Sequence, residues 1–390
     1  MRYDVVVVGA RVAGAATALL LAQSGLRVLL LDRSRYGTDT LSTHALMRGG
    51  VLQLHRWGLL DRVIAAGTPP VRRATFRYAR EVVPITIKPS YGVDALYAPR
   101  RTVLDPILVD AAATAGADLC FGVAANDVER HPSGAVTGLT GRTRGGRAFR
   151  VQARLVVGAD GVYSTIAERV GAPLERVGTG VSATTYGYWP DVGVEGYEWN
   201  FRPDAASGVV PTNDSLACIF ASATPRRIGR GGLAPLVSIL AEADPALAAR
   251  LAATPPTRMR TFTGLRGYLR RSWGPGWALV GDAGYFKDPL SAHGITDALR
   301  DAELLARAIV AVLIDGTDER EALASYQAAR DALSTSLFEA IDVIAGHAWT
   351  NDQIGDLLLR LNAAMADEVD TLADLPSPRS ATPVPDPSIG

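Results

Sequence analysis

The chain opens on a short apolar run that is followed by a glycine-containing turn and a helical pattern. Tyr3–Val8 ends in four consecutive valines rather than alternating, which predicts a strand buried on both faces. The segment from Ala13 to Gln23 is rich in Ala and Leu, as helices are, and Gly25 is placed to end it. Arg27–Leu31 then predicts a second buried strand. Together these segments predict a complete β-α-β unit within about 30 residues.

The middle of the chain alternates between strand and helix patterns. Short strand-like runs with turn signals fill Val71–Lys88 and Cys120–Val156, whereas apolar residues recur at helical spacing in Arg101–Ala115. Ser182–Leu269 is rich in aromatic and β-branched residues, with one helical interruption around Leu233–Ala253. This last stretch predicts a mostly antiparallel sheet that belongs to a second domain.

The end of the chain is helical and then loses its periodicity. After Trp277 the segment TDALRDAELLARAIVAVLI predicts a long helix, and two further helix-like segments end near Ala373. The final stretch, LPSPRSATPVPDPSIG, carries five prolines and no apolar period. Such a composition predicts disorder.

Composition narrows the class of protein. Lys+Arg and Asp+Glu balance at 40 each, so we expect neither nucleic acid nor an anionic membrane as a partner. The two cysteines form no CxxC pair, and the five histidines show no metal-ligand spacing, so we expect no metal site. Neither a signal peptide nor a run long enough to cross a bilayer is present, which indicates a cytoplasmic protein.

The hexapeptide GARVAG lies between the first predicted strand and its helix. It has the context of a dinucleotide-binding loop, but Arg11 stands where the middle glycine is expected. Asp32 follows Gly14 by 18 residues, close to the spacing of a carboxylate that holds a ribose hydroxyl. Taken alone, the hexapeptide also fits, as the less favoured alternative, a tight β-α turn without a ligand.

Two later segments make the pattern more specific. LVVGADG, with Asp160, and GPGWALVGDAG, with Gly281 and Asp282, each place an Asp-Gly or Gly-Asp pair after a buried strand. With GARVAG they resemble, in the same order, the motifs of FAD-dependent monooxygenases of the para-hydroxybenzoate hydroxylase type. Relatives of that family include flavin halogenases and geranylgeranyl reductases. The resemblance spans most of residues 1–315.

The resemblance implies roles for individual residues, all toward FAD. Gly9, Ala13 and Gly14 would hold the pyrophosphate, with Arg11 either turned away or adding its charge. The other cofactor-binding residues that it implies are Asp32 and Arg33 at the adenosine ribose, Arg101 at the phosphates, Asp160 and Gly281 in the paired motifs, Asp282 at the ribityl chain, Pro289, Gly294 and Ile295 at the flavin ring, and Arg48 near the flavin entrance. Thr296 would open a helix whose positive end faces the reduced ring.

The resemblance also implies the fold and its division into domains. The expected fold class is α/β, with a Rossmann-like, glutathione-reductase-like FAD-binding domain, an inserted mostly antiparallel substrate domain and C-terminal helices. We expect the FAD-binding domain at 1–70, 101–181 and 274–315, and the substrate domain at 71–100 and 182–273. The C-terminal helices would occupy 316–373 and the disordered tail 374–390.

The activity implied is that of a monooxygenase with NAD(P)H, or a separate flavin reductase, as the source of electrons. One oxygen atom from O2 would pass through a flavin hydroperoxide to a small aromatic or polyketide-like substrate. Six aromatic residues could wall its pocket, or simply pack the sheet: Tyr186, Tyr188, Trp189, Tyr197, Trp199 and Phe201. Ala167 stands where relatives often carry an arginine tied to the nicotinamide cofactor, and Arg169 is displaced by two residues.

Other activities on the same fold stay open at this point. A halogenase would use Lys88, but the family's WxWxIP signature is absent, the closest stretch being Trp199–Pro203. A geranylgeranyl-reductase-like enzyme and a non-catalytic protein of the FAD-binding fold are the further alternatives. We assign no catalytic residue, because His44, His293 and Lys287 could each serve the structure alone.

Overall fold

The structure is a computed structural model that describes residues 2–377. Of the disordered tail predicted at 374–390, residues 378–390 lie outside the described residues, whereas Asp374 ends the last helix. The strands are β1 Arg2–Val8, β2 Val28–Asp32, β3 Arg73–Tyr78, β4 Glu81–Thr86, β5 Asp118–Phe121, β6 Val123–Arg130, β7 Val136–Thr143, β8 Ala148–Gly158, β9 Leu174–Val177, β10 Ala183–Pro190, β11 Tyr197–Arg202, β12 Ala205–Pro211, β13 Leu216–Ala223, β14 Met259–Phe262, β15 Tyr268–Arg270, β16 Trp273–Gly274, β17 Trp277–Leu279 and β18 Tyr285–Phe286.

The helices are α1 Val12–Gln23, α2 Arg48–Arg56, α3 Leu60–Ala65, α4 Arg101–Thr114, α5 Thr165–Val170, α6 Pro225–Ile228, α7 Leu233–Ala243, α8 Pro245–Ala253, α9 Gly294–Leu313, α10 Glu319–Ala345 and α11 Asn351–Asp374. Two 3-10 turns lie at Gly281–Ala283 and Pro289–Ser291. Among the described residues, none of these helices combines the length and the apolar character of a membrane span.

The first sheet is built around parallel strands. Its order is β16-β17-β8-β1-β2-β5, and β17, β8, β1, β2 and β5 run parallel to one another. The valines of β1 are buried on both faces, as their continuous apolar run predicts. Helices α1, α4 and α9 pack together on one side of this sheet. The Rossmann-like part of the predicted fold class is confirmed.

The second sheet has seven strands in the order β14-β10-β13-β12-β11-β3-β4. All its neighbours are antiparallel except β11 and β3. The early segment that contains β3 and β4 therefore joins the later strands in one layer, and the mostly antiparallel sheet is confirmed. The exact domain boundaries stay predictions.

The helical interruption expected around Leu233–Ala253 is present, and it consists of two helices. Helix α7 ends at Ala243 and α8 begins at Pro245. Asp244 lies between them and accepts a hydrogen bond from the N–H of Leu247, as an N-cap does. Proline at the first helical position cannot continue the preceding helix, because it has no N–H to donate.

The C-terminal helices pack back onto both parts of the molecule. Helix α10 contacts α9 and α11, and α11 contacts α2 and β3. Tyr326 on α10 donates a buried hydrogen bond of 2.8 Å to the carbonyl oxygen of Leu279 at the end of β17. This bond ties the C-terminal helices to the turn that carries Gly281 and Asp282.

Replacing Tyr326 by phenylalanine should lower the free energy of unfolding by about 1 kcal/mol, because the buried carbonyl of Leu279 loses its donor. Denaturant unfolding measures this difference. The matched control is Tyr163→Phe, since Tyr163 is 77% exposed and should leave stability unchanged. Equal stability of the two variants would contradict the tie between α10 and β17.

Candidate functional site

The turn between β1 and α1 packs against the segment that follows β8. Gly9 has a φ of 107°, and a Cβ at Gly9 would lie 2.3 Å from the carbonyl oxygen of Ala159. A Cβ at Gly14 would lie 1.8 Å from the carbonyl oxygen of Gly9. A side chain at either position would push the two segments apart. Packing alone therefore requires the two glycines of the predicted nucleotide loop.

The turn after β17 meets the same region from another side. Gly281 has a φ of 59°, and its Cβ would lie 2.8 Å from the Cβ of Ala13. The segments that contain Gly9, Asp160 and Asp282 therefore converge at the first turn of α1, as the resemblance implies. We call the space bordered by the N-terminus of α1, the Gly281–Ala283 turn and the N-terminus of α9 the cofactor cleft.

Arg11 directs its guanidinium away from the first turn of α1. It pairs with Asp105 at 3.1 Å, and it donates hydrogen bonds to the carbonyl oxygen of Thr38 and, at 3.1 Å, to the hydroxyl of Thr38. No side chain caps α1, so the N–H groups of its first turn stay available. Such a helix end suits a phosphate.

Asp105 lies between two arginines. The Nε atom of Arg101 is 2.7 Å from one carboxylate oxygen of Asp105, and a terminal nitrogen of Arg101 is 3.1 Å from the other. Together with Arg11, two guanidinium groups face one carboxylate. The local excess of positive charge is what a pyrophosphate requires. A phosphate contact by Arg101 stays a prediction.

Asp32 is buried at the end of β2 and already accepts two backbone hydrogen bonds. They come from Ala10 at 2.8 Å and from Ser34 at 2.6 Å. Asp32 lines a narrow crevice of about 10 Å³ together with Arg11 and Asp105, whereas Arg33 is exposed and outside its lining. A crevice of that volume admits about one water molecule, so adenosine binding would require its walls to move.

Asp160 serves the start of α5 in this structure. It accepts hydrogen bonds from the hydroxyl of Ser164 at 2.5 Å and from the N–H of Ile166 at 3.2 Å. Ser164 in turn caps α5 by accepting from Ala167. Burial raises the pKa of Asp160 above its usual range. The carboxylate thus has a structural task, and a contact with the cofactor stays a prediction.

Asp282 lies in the Gly281–Ala283 turn that borders the cofactor cleft. Within residues 2–377 its carboxylate accepts no hydrogen bond, although the residue's backbone carbonyl accepts one from Tyr268 at 2.6 Å. The residue is exposed to solvent, yet protein groups surround its carboxyl closely. This burial raises the pKa of Asp282 to about 6, although the positive charges of Lys287 and Arg101 lower it. The carboxylate is therefore free to accept hydrogen bonds from a polyhydroxyl chain.

The N-terminus of α9 faces the cleft without a cap. Pro289 begins the short 3-10 turn that precedes it, and no side chain caps α9. A Cβ at Gly294 would meet nothing within 4 Å, so that position opens on free space, whereas Ile295 is buried. The first N–H groups of α9, those of Gly294 and Ile295, have no intrahelical acceptor and can stabilise a negative charge.

A cavity of about 540 Å³ adjoins this helix end. We call it the aromatic cavity, because Phe76, Tyr197, Trp199 and Phe201 of the second sheet line it. Tyr186, Tyr188 and Trp189 lie outside its lining and pack within the sheet. The six aromatic residues proposed from the sequence therefore divide into three that line a cavity and three that do not.

Helix α11 supplies the opposite wall of the aromatic cavity. Leu358, Leu361, Met365 and Val369 lie along one side of this helix at spacings of three or four residues. The sequence predicts this helix but not its place in the site. The apolar spacing of the helix indicates a buried face, and that spacing is the same for a cavity wall and for a packed core.

Arg48 lies at the edge of the aromatic cavity and donates hydrogen bonds to the segment 88–93, which we call the strap. Its guanidinium donates to the carbonyl oxygen of Lys88 at 2.7 Å, and to Ser90 and the carbonyl oxygen of Val93 at 3.2 Å each. Burial lowers the pKa of Arg48. The flavin contact predicted for Arg48 is untested, whereas its hold on the 88–93 strap is direct.

A family model described as "FAD binding domain" matches residues 2–340. The chain belongs to this family. The chain is an FAD-dependent oxidoreductase, and proteins similar to it include a reductase, a hydroxylase and a monooxygenase. The cofactor implied by the three motifs is thereby confirmed.

Similar proteins include both reductases and hydroxylases. A digeranylgeranylglycerophospholipid reductase of Methanocella arvoryzae is 26% identical over 86% of this chain and 84% of that protein. A 3-demethoxyubiquinol 3-hydroxylase of Escherichia coli is 26% identical over 83% of this chain and 82% of that protein. The solved structure of a flavin-dependent brominase superposes with a TM-score of 0.77 at 17% identity, covering 95% and 98% of the two chains, which shows the fold alone.

In this member of the family, a buried ion-pair network lies beneath the N-terminus of α9. His293, Asp297 and Glu368 bring potential ligand atoms within 4.8 Å of one another. Lys287 pairs with Asp297, and Arg300 pairs with Asp297 at 3.1 Å and with Glu368 at 2.9 Å. Because these cations already neutralise the carboxylates, we interpret the cluster as an ion-pair network rather than a metal site.

The three residues left unassigned by the sequence all have structural partners, and His293 pairs with Glu368 in this network. Lys287 is buried in the network, 5.0 Å from the ring centre of Tyr285, and burial lowers its pKa to about 7. His44 is 2.6 Å from the hydroxyl of Tyr188 and outside the aromatic cavity. Burial, reinforced by Arg101, lowers the pKa of His44 to about 3, so it is neutral at ordinary pH.

Replacing Gly281 by alanine should abolish FAD retention, because the new Cβ would collide with Ala13. The flavin absorbance per chain measures retention. Gly146→Ala is the matched control, since Gly146 has a φ of 78° but open space around it. The control should lose only about 1 kcal/mol of stability to backbone strain. Normal flavin content in Gly281→Ala would contradict the proposed convergence.

Replacing Asp282 by asparagine should stabilise the flavin-free protein at about pH 8 but not at about pH 4. The folded-state pKa, about 6, lies above the ordinary value of 3.8, so the charged carboxylate costs stability above pH 6 and the cost vanishes as the pH falls through that range. Thermal unfolding at the two pH values measures the difference.

The exposed Asp367→Asn on α11 is the control for this measurement. The Asp282 variant should also retain less FAD at both pH values. Stabilisation that is equal at pH 8 and pH 4 would contradict the pKa shift as its cause.

Proposed function

We propose that the chain is an FAD-dependent monooxygenase that inserts one oxygen atom from O2 into a small aromatic or polyketide-like substrate, with NAD(P)H as reductant. One observation carries the proposal. The aromatic cavity reaches Leu290, Ser291 and His293, the residues that lead directly into the N-terminus of α9. A substrate in the cavity would therefore lie beside the helix end that the family resemblance places at the flavin ring.

The cavity supports the proposed class of substrate. Its volume of about 540 Å³ lies within the range of small-molecule sites. Trp199, Phe201 and Tyr197 line it, and aromatic side chains of this kind suit a planar apolar molecule. Lys88, Asp370 and Arg48 lie at the edge of this lining, so polar groups of the substrate would be oriented toward them.

The residues of the cofactor cleft fit FAD. The uncapped N-terminus of α1 would bind the pyrophosphate, and Asp282 would accept hydrogen bonds from ribityl hydroxyls. The N–H groups of Gly294 and Ile295 would stabilise negative charge at the pyrimidine end of the reduced ring. When bound, FAD supplies the redox chemistry and the activation of oxygen. The protein's part is to bind, to orient and to exclude water.

The strap at 88–93 lies along the edge of the cavity. Tyr91 donates a hydrogen bond of 3.0 Å to Asp370 on α11, and Arg48 holds the strap from α2. The strap thus bridges two helices across the edge of the cavity. A segment held at the edge in this way would help to keep water from the reaction.

Residues 167 and 169 do not indicate which molecule supplies electrons to the flavin. Ala167 is buried in the apolar core beside β8, and Arg169 donates to the carbonyl oxygen of Asn126 at 2.9 Å. Neither position offers the arginine that relatives use toward the nicotinamide cofactor. Direct reduction by NAD(P)H and reduction through a partner flavin reductase are therefore separate arms of the test.

The proposal predicts that aromatic substrates accelerate flavin bleaching by NADPH in an anaerobic cuvette, and that air then yields a product heavier by one oxygen atom. Mass spectrometry after reaction under 18O2 measures the incorporation. Bleaching only after a flavin reductase is added would assign a two-component system and leave the oxygenation intact.

Other outcomes separate the rival activities. Halide-dependent product with a bound halogen would assign a halogenase, and hydrogenation of a prenyl chain without oxygen would assign a reductase. Protein that binds FAD but is not reduced by either donor would overturn an enzymatic role.

A further inference from the structure

Residues 35–38 form a short turn beside the narrow crevice that Asp32 lines. The N–H and the hydroxyl of Thr38 both donate to the carbonyl oxygen of Arg35, at 3.4 and 2.9 Å, and so close the turn. The first three residues of the turn belong to the lining of the crevice. The family resemblance predicts the adenosine ribose of FAD at Asp32, so the turn lies where adenosine would have to pass.

The chain is anchored on both sides of the 35–38 turn. The carbonyl oxygen of Ser34 accepts a hydrogen bond of 3.1 Å from the glycine that follows β5. Asp39 pairs with Arg260 of β14 at 2.8 Å, and both side chains are largely buried. The turn itself is exposed at all four residues, and a Cβ at Gly37 would meet nothing within 4 Å. These anchors leave the turn as the part that has room to move.

Two side chains tie the turn to α4. Arg11 forms the first tie, because its guanidinium donates to the carbonyl oxygen and, at 3.1 Å, to the hydroxyl of Thr38, and pairs with Asp105 at 3.1 Å. Tyr36 forms the second tie, since its hydroxyl donates to Asp110 at 2.7 Å. Both ties end on carboxylates of α4, and α4 and the turn line the same crevice. The two walls of the crevice are therefore joined to each other.

The first tie exists because an arginine replaces the middle glycine of the motif. Arg11 has a φ of −92° and a ψ of −170°, an extended conformation that requires no glycine. The side chain of Asp105 is only 5% exposed, and a hydrogen bond between charged groups is stronger than one between neutral groups. Since Arg101 also pairs with Asp105, removing Arg11 leaves no buried carboxylate unpaired, and variants at this position should fold.

We propose that residues 35–38 are a lid over the adenosine end of FAD, and that Arg11 and Tyr36 hold this lid closed. FAD enters and leaves while the two ties are open, because the crevice is too narrow for adenosine until its walls separate. The ties restrain passage in both directions, so they slow the exchange of the cofactor and change its affinity little. The inference concerns the retention of FAD and holds whichever reaction the flavin performs.

The test measures how fast radiolabelled FAD leaves the loaded chain in an excess of unlabelled FAD, together with the dissociation constant from equilibrium dialysis. Arg11→Ala should release FAD at least about tenfold faster than the wild type, since hydrogen bonds to a charged group are lost. Its dissociation constant should change by less than about threefold. An equal rise in the release rate and in the dissociation constant would overturn the lid and assign to Arg11 a direct contact with the phosphates.

Tyr36→Phe is the second variant, because it removes a tie without a change of charge. The ring, whose centre is 5.7 Å from that of Phe121, is kept. This variant should release FAD about fivefold faster than the wild type, since one hydrogen bond to a carboxylate is lost. Its effect cannot arise from a lost phosphate contact by a cation. Unchanged release in either variant would overturn the lid.

Arg147→Ala is the matched control, because it removes an exposed arginine between β7 and β8. It should release FAD as the wild type does, and thermal midpoints report folding in all variants. Hydrogen–deuterium exchange of the FAD-loaded chain should become faster at residues 35–38 in Arg11→Ala and Tyr36→Phe but not in the control. Faster release of FAD without faster exchange at these residues would contradict the lid.

Discussion

The close approach of three main-chain turns is the constraint on which the rest of this structure depends. Gly9 lies against the carbonyl of Ala159, Gly14 against that of Gly9, and Gly281 against the side chain of Ala13. No side chain larger than hydrogen fits at the three glycines without moving backbone. This contact fixes the N-terminus of α1 beside Asp282, and the chain continues from there to the N-terminus of α9. The phosphate end and the ring end of the cofactor cleft are thus set by one packing arrangement.

A second arrangement, the buried ion-pair network, connects the cofactor cleft to the aromatic cavity. Glu368 on α11 reaches His293 and Arg300 at the start of α9, and Gly49 of α2 lies beside the same carboxylate. A buried network of this kind is costly unless all members are paired, so it specifies one position for α11. Since α11 also walls the aromatic cavity, the network sets the cavity's distance from the helix end.

Local patterns in the sequence predicted the parts of the fold that depend on neighbouring residues. The β-α-β unit, the long helix after Gly294 and the second sheet follow from apolar periodicity, and the order of the three motifs led to FAD. Contacts between distant side chains were not accessible in this way. Nothing near Arg11 indicates its pairing with Asp105, and nothing near Asp160 distinguishes a cap of α5 from a cofactor ligand. The break at Asp244 was readable from its proline but was missed.

The most direct test of the account is hydrogen–deuterium exchange of the chain with and without FAD. If the three turns hold one cofactor, FAD should slow exchange together at residues 12–15, 160–164 and 281–295, because amides there are covered or restrained by the ligand. Protection confined to one of these segments, or located elsewhere in the chain, would contradict the claim that packing of the three turns creates a single FAD site.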